Sequence, residues 1–264
     1  MADLLVRNLL RRVSGTLMDT RPQFKRYSQA DMVLALRAGV RAVCKYLPHS
    51  CARTVAVQLL PGHVQPVGRI ASARVRTYDG ATPWDLDVQH IFEVVRNMGT
   101  NGQTPGRAIT LTDQQRQNAI DPFGHSMTGT VVRQYAYNPQ VPTEIVVWPA
   151  VPSSGGNVWV DIRLSAPPPP IPDGTGGAGS ESYRLDGGST QVVGLDDRYE
   201  DELWNYCCAY LLLSEAKAQG ALNRAALHVQ AFNASINSLA EQQTGHNPNL
   251  KALPFAPEVP GAAS

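Results

Sequence analysis

EIVVWPAVPSSGGNVWVDIRLSAPPPPIP, residues 144–172, and DDRYEDELWNYCCAYLLLSEAK, residues 196–217, together decide how this chain folds. In the first, two runs rich in Val, Ile and Trp flank a Pro-Ser-Gly stretch, the pattern of two strands joined by a turn. The predicted strands are Glu144 to Trp148 and Asn157 to Leu164. In the second, Leu203, Tyr206, Cys207, Tyr210 and Leu211 recur at helical spacing behind a cluster of carboxylates, which suits the positive end of a helix macrodipole. The pattern continues through Leu222, Ala225, Val229, Phe232, Ile236 and Leu239, with a bend or break expected near Gly220, since Gly weakens a helix by about 1 kcal/mol relative to Ala. Strand pattern thus gives way to helix pattern across the stiff Pro167–Pro170 run and the glycine stretch behind it, a connecting spacer.

Working toward the N-terminus, a first helix is predicted over Leu4 to Leu17, where Leu5, Leu9, Val13 and Leu17 form one stripe. A second starts after Tyr27: Ser28 is placed to cap it, with Asp31 in a capping-box arrangement. It should stop before Pro48, which lacks an N–H and disfavours helix at Leu47. From Thr54 the pattern alternates. Strands are predicted over Thr54 to Leu60, Gly68 to Tyr78, Ala108 to Leu111 and Thr130 to Tyr137, with a short helix over Asp87 to Met98, where Val88, Ile91, Phe92 and Val95 share a helical face. Pro139, Pro142, Pro149 and Pro152 should mark strand ends or edges.

The expected class is therefore α+β: terminal helices forming a helical bundle, with an inserted β-rich domain and an extended C-terminal tail. The expected parts are residues 1–53, the basic N-terminal helices; 54–195, the β-rich domain; 196–243, the C-terminal helices that complete the bundle; and 244–264, the tail, which carries four prolines. With 264 residues, 43% of them apolar, the chain is large enough to bury a core. No stretch reaches the roughly 18 consecutive apolar residues of a membrane span, and the arginine-bearing N-terminus does not read as a secretory signal. No membrane partner is expected.

Charge is uneven although the net is only +1. Residues 1–53 hold 10 Lys and Arg against 3 Asp, whereas residues 196–241 hold 3 basic against 7 acidic residues. Complementary surfaces favour contact between copies and fix its register. Arg7, Arg11, Arg12, Arg37 and Arg41 are the candidate basic interface or lumen residues, and Asp196, Asp197, Glu200, Asp201 and Glu202 the candidate acidic inter-subunit residues. Contact of the arginines with phosphate is the alternative, without aromatic interleaving or a nucleic-acid motif to accompany it.

Catalytic signals are weak. FGHSMTG, Phe123 to Gly129, resembles a GxSxG nucleophile elbow but misses it: Thr128 stands where the second glycine belongs, and Asp121 and Pro122 interrupt the strand that should lead in. A serine hydrolase using Ser126 is the alternative of a different class. The six histidines show no HxH or HExxH spacing, and Cys44, Cys51, Cys207 and Cys208 form no CxxC, so buried reduced thiols are expected. No catalytic, cofactor-binding or metal site is expected.

The order helix pair, β region, EIVVWP, a WVD strand, a proline run, then an acidic start to a helix rich in Tyr, Leu and Ala resembles the head-to-tail adaptor (connector) proteins of short-tailed, podovirus-like bacteriophages. The match is best over Asp196 to Ile236. The resemblance implies a structural virion protein at the head–tail junction, assembled in the host bacterial cytoplasm. It implies a homo-oligomeric ring of about a dozen copies between the portal protein and a tail nozzle or tail-tube protein. The ring would line the DNA exit channel, with non-specific contact to packaged DNA. A tail completion or tail-tube protein is the nearer alternative.

Overall fold

The computed structural model describes residues 3–18, 26–78, 83–113, 115, 127–138, 141, 143–154, 157–172, 183, 189–214 and 219–246. Their elements in chain order are β1 (Asp3–Leu5), α1 (Val6–Thr16), α2 (Gln29–Tyr46), β2 (Ala52–Gln58), β3 (Gly62–Pro66), β4 (Arg69–Ile70), β5 (Val75–Arg76), β6 (Leu86–Asp87), β7 (His90–Met98) and β8 (Pro105–Ala108). There follow β9 (Thr110–Leu111), β10 (Gln134–Tyr137), β11 (Glu144–Val151), β12 (Trp159–Ser165), β13 (Val192–Asp196), α3 (Glu200–Ser214) and α4 (Gln219–His246). The fold is α+β.

The helices share one apolar core. Leu9, Leu10 and Val13 of α1, Met32, Leu36, Val40 and Val43 of α2, Leu203, Cys207, Cys208 and Leu211 of α3, and Ala225, Phe232 and Ile236 of α4 all belong to it. Helix α2 begins as its sequence predicts: Asp31 N donates to Ser28 Oγ at 3.1 Å, and Ser28 N donates back to the Asp31 carboxylate at 3.3 Å. Helix α3 spans Glu200–Ser214 and α4 Gln219–His246; Gly220 lies in the first turn of α4, and the four residues between the two helices, 215–218, lie outside the described residues. Antiparallel pairing of β1 with β13 sets Asp3 opposite Asp196, which draws the start of the chain to the entry of α3. The first three described residues are therefore strand, and α1 starts at Val6 rather than Leu4.

A second core lies between two sheets, one ordered β5-β2-β12-β7-β8 and the other β3-β11-β10-β9. Strand β12 is central, antiparallel to β2 and β7, and only Arg163 of its seven residues is exposed. Val55, Val94, Val160 and Ile162 from the first sheet meet Tyr135, Ile145 and Val147 from the second. The run from Pro105 to Leu111 edges both sheets: β8 pairs with β7, Ile109 turns into the core, and β9 pairs with β10.

Several expectations fail here for physical reasons. Residues 87–98 are not helical: His90–Met98 is a strand with two bulges, one between the Asp161 and Ile162 pairs and one between the Arg163 and Leu164 pairs. Phe92 and Val95 are the extra residues at those bulges, so the period of two is stretched and imitates a helical face. The predicted strand over Gly68 to Tyr78 is split into β4, a 3-10 turn at Ser72–Arg74 and β5. Only Gln134–Tyr137 of the segment beginning at Thr130 is strand. Pro149 lies inside β11, where a ladder proline is normally excluded, because pairing with β10 ends at Trp148 and the register to β3 shifts between Val146 and Val151. Pro152 does follow the end of β11, and Pro139 and Pro142 lie outside the described residues.

Cys44 and Cys51 are not reduced thiols but a disulfide, with Cα atoms 5.7 Å apart, because the 3-10 turn at Pro48–Cys51 doubles the chain back against the end of α2. Cys207 and Cys208 are free and buried. Burial raises both thiols above their ordinary range, Cys208 to about 12, which makes them inert packing groups.

Candidate assembly interface

The carboxylate-rich entry to α3 lies against α1 of the same chain. Arg12 donates from Nη1 to Glu200 Oε1 at 3.1 Å and from Nη2 to Asp201 Oδ1 at 2.6 Å, and its guanidinium stacks 4.6 Å from the centre of the Trp204 ring. Burial lowers the Arg12 pKa, but its hydrogen bonds to Asp201 and then Glu200 more than offset this, so it is raised overall. Trp204 Nε1 in turn donates to Thr16 Oγ1 at 3.0 Å, and Arg224 of α4 donates to the Thr16 carbonyl at 3.1 Å. The seam continues inward, where His228 and Asn205 are hydrogen bonded at 2.9 Å and Ser235 donates to Glu202.

The ten candidate charges therefore separate. Arg12, Glu200 and Asp201 meet each other within one chain. Glu202 is only 4% exposed and faces α4, so it is not a surface carboxylate. Asp196 accepts from Arg198 N at 3.1 Å and caps the short turn before α3, and that backbone hydrogen bond lowers its pKa. Asp197 is exposed. Arg7 is half-buried and Arg11 exposed, both on α1. Arg37 donates from Nε to the Ile171 carbonyl at 2.7 Å, and from Nη2 to the same oxygen, which pins the end of the proline run to α2. Gly194 holds the other side of that run: at φ +81° it approaches Pro168 so closely that a Cβ would sit 2.6 Å away.

Arg41 is exposed between two clefts. One, of about 410 Å³, separates α2 from the proline run and is lined by Arg41, Arg69, Trp84, Asp85 and Asp87. The other, of about 480 Å³, runs between α2, α3 and α4 and is aromatic, with Tyr46, Tyr206, Tyr210 and Phe232 along it. The sequence placed Tyr206 and Tyr210 on one helical face and did not foretell this cleft. The available signal was their i, i+4 spacing, which stacks the two rings 6.5 Å apart at the margin of the core.

Among the described residues, no three His, Cys, Asp or Glu side chains are grouped to hold a metal, and no helix is long and apolar enough to cross a membrane. Ser126, the candidate nucleophile, lies outside the described residues. What the geometry offers is a set of surfaces.

The family model for the SU10 adaptor protein matches residues 5–252. The chain belongs to the SU10 adaptor protein family. Membership makes it a phage adaptor, a structural component of the virion. No curated protein matches the chain significantly. The family match runs continuously through both cores, from α1 to the end of α4, so the helical and β parts belong together in the SU10 adaptor architecture.

Proposed function

We propose that this chain is one subunit of a head-to-tail ring of about a dozen copies that seats on the portal, receives the tail nozzle or tail tube and lines the DNA exit channel. The observation that carries the reading is the family match over residues 5–252. Rings close through a heterologous interface, which requires two unlike surfaces on each subunit. The exposed Arg11 and Arg41 on one part of the chain and the exposed Asp197 on another supply unlike charge. We assign the contact between copies to these exposed charges, with Arg7 and Asp196 beside them, and not to Glu202, which is buried against α4. In this reading the terminal helices (residues 1–53 and 196–243) act as one bundle facing the portal, and the β-rich part (54–195) faces the tail. The subunit has a structural and not a catalytic role.

The test is the mass of the purified protein in solution, alone and mixed with the portal, by light scattering with electron-microscope imaging. A ring, alone or formed on the portal, supports the proposal. A monomer or dimer indifferent to the portal overturns it. Lumen contact with DNA predicts an affinity that falls steeply with salt, as counterion release requires.

A further inference from the structure

The aromatic cleft between α2, α3 and α4 is open. Tyr46 is 55% exposed, Leu213 49%, and Tyr210 and Val229 38% each, an apolar surface along one cleft. Arg41 and Lys45 lie along its α2 margin. Patches of this kind on soluble proteins mark interaction sites, and grooves lined with aromatic rings recognise proline-rich chains in the polyproline II form.

The chain itself contains such a segment. Beyond α4 lie residues 247–264, and within them PFAPEVP places Pro254, Pro257 and Pro260 at intervals of three. A polyproline II helix has three residues per turn, so these prolines fall on one edge, the geometry that packs between aromatic rings. Phe255 supplies an apolar anchor, and Glu258 supplies the charge that Arg41 and Lys45 complement.

Reach decides the source. The cleft meets α4 at Val229, Phe232 and Asn233, so the helix ends 13 residues later at His246, about 20 Å away at 1.5 Å per residue. The eight steps from His246 to Pro254 span at most about 29 Å when fully extended. Docking onto the same subunit would leave only about 9 Å of fully extended chain for the reversal of direction at the end of α4. A neighbouring subunit imposes no reversal. We infer that residues 254–260 of one copy bind, as a polyproline II strand, in the α2–α3–α4 cleft of the next. The inference rests on the ring reading for the presence of a neighbour.

The test uses full-length chains carrying a benzophenone side chain in place of Phe255, prepared with natural nitrogen and with 15N, mixed in equal amounts, irradiated and analysed by mass spectrometry. The expected products join position 255 to Tyr46, Tyr210 or Leu213 of a chain with the other label. Leu213→Glu, an exposed substitution that leaves the core intact, should reduce them about tenfold. Products within one label only, products elsewhere on the surface, or none would overturn the inference. Light scattering of Leu213→Glu with the portal separates the two readings: a ring that forms without these cross-links keeps the adaptor proposal and removes this one. Cross-links between copies that never engage a portal do the reverse.

Discussion

The helical part and the β part of this molecule are held by different means. In the helical part, elements more than 150 residues apart in sequence meet through one apolar core, and the charges at its edge are half-exposed pairs such as Arg12 with Glu200. In the β part, strands are tied by buried polar groups as well as by apolar packing. Asn97, 6% exposed, donates to the carbonyls of Arg107 and Val132 and accepts from Val132 N, so one amide staples three backbone segments. Asp161, 1% exposed in β12, accepts from Tyr78 and from Arg96 Nε at 2.9 Å. The lesson is that a substitution of the same chemical type should cost little in one part and a good deal in the other.

The largest effects test whether the two cores are separate. Leu36→Ala in α2 and Ile162→Ala in β12 both empty fully buried positions, and each should cost about 2–5 kcal/mol in denaturant unfolding. Hydrogen exchange should show protection lost chiefly in the core that carries the cavity. Loss spread evenly over both would dissolve the distinction between the two parts.

Asn97→Ala comes next. It strands one buried N–H and two carbonyls, and should cost roughly 2–3 kcal/mol, since an unsatisfied buried group carries its full desolvation penalty. A loss below 1 kcal/mol in chemical unfolding would mean that water takes over the staple. Arg12→Ala, by contrast, should cost no more than about 1 kcal/mol, because its partners are 36% and 70% exposed and solvent screens such pairs. A much larger loss would make the α1–α3 seam as dependent on buried polarity as the β part.

The smallest effect is a pH dependence at the junction of the two parts. His49 follows α2 and stacks on Phe92 of β7 with ring centroids 4.6 Å apart, while His90 meets the same ring edge-on. Burial lowers both histidines below their ordinary value, with Arg163 contributing at His49 and His49 at His90. A histidine whose pKa is lower folded than unfolded binds its proton more readily unfolded. The stability it contributes is therefore present above the unfolded value near 6.5 and is lost as pH falls below it. The midpoint of thermal unfolding should fall between about pH 6.5 and 5, and His90→Phe should flatten that decline. An unchanged slope would place the acid sensitivity elsewhere.

How much of this was legible follows from range. Ser28 and Asp31 specify the start of α2 because a capping box needs four consecutive residues. The β part was partly misread where its geometry depends on a neighbour. Phe92 and Val95 look helical until β12 fixes the bulges, and Pro149 looks terminal until the ladders on both sides are known to lapse there. The disulfide between Cys44 and Cys51 needed the turn at Pro48–Cys51 to be drawn first. Of the candidate charges, the sequence distinguished sign and region but not partner.

The sequence by itself determined the class of the fold, the cap of α2, the periodicity of the helices, the strands over 54–60, 144–148 and 157–164 and the kinship to phage adaptors, because each rests on residue order within a few turns or on a pattern running along the whole chain. The tertiary structure alone decided that Arg12 spends its charge on Glu200 and Asp201, that Glu202 is buried, that β1 meets β13, and that Tyr46, Tyr206 and Tyr210 line a cleft. Those outcomes depend on which distant segments come within a few ångströms of one another, and packing between elements, not local propensity, sets that distance.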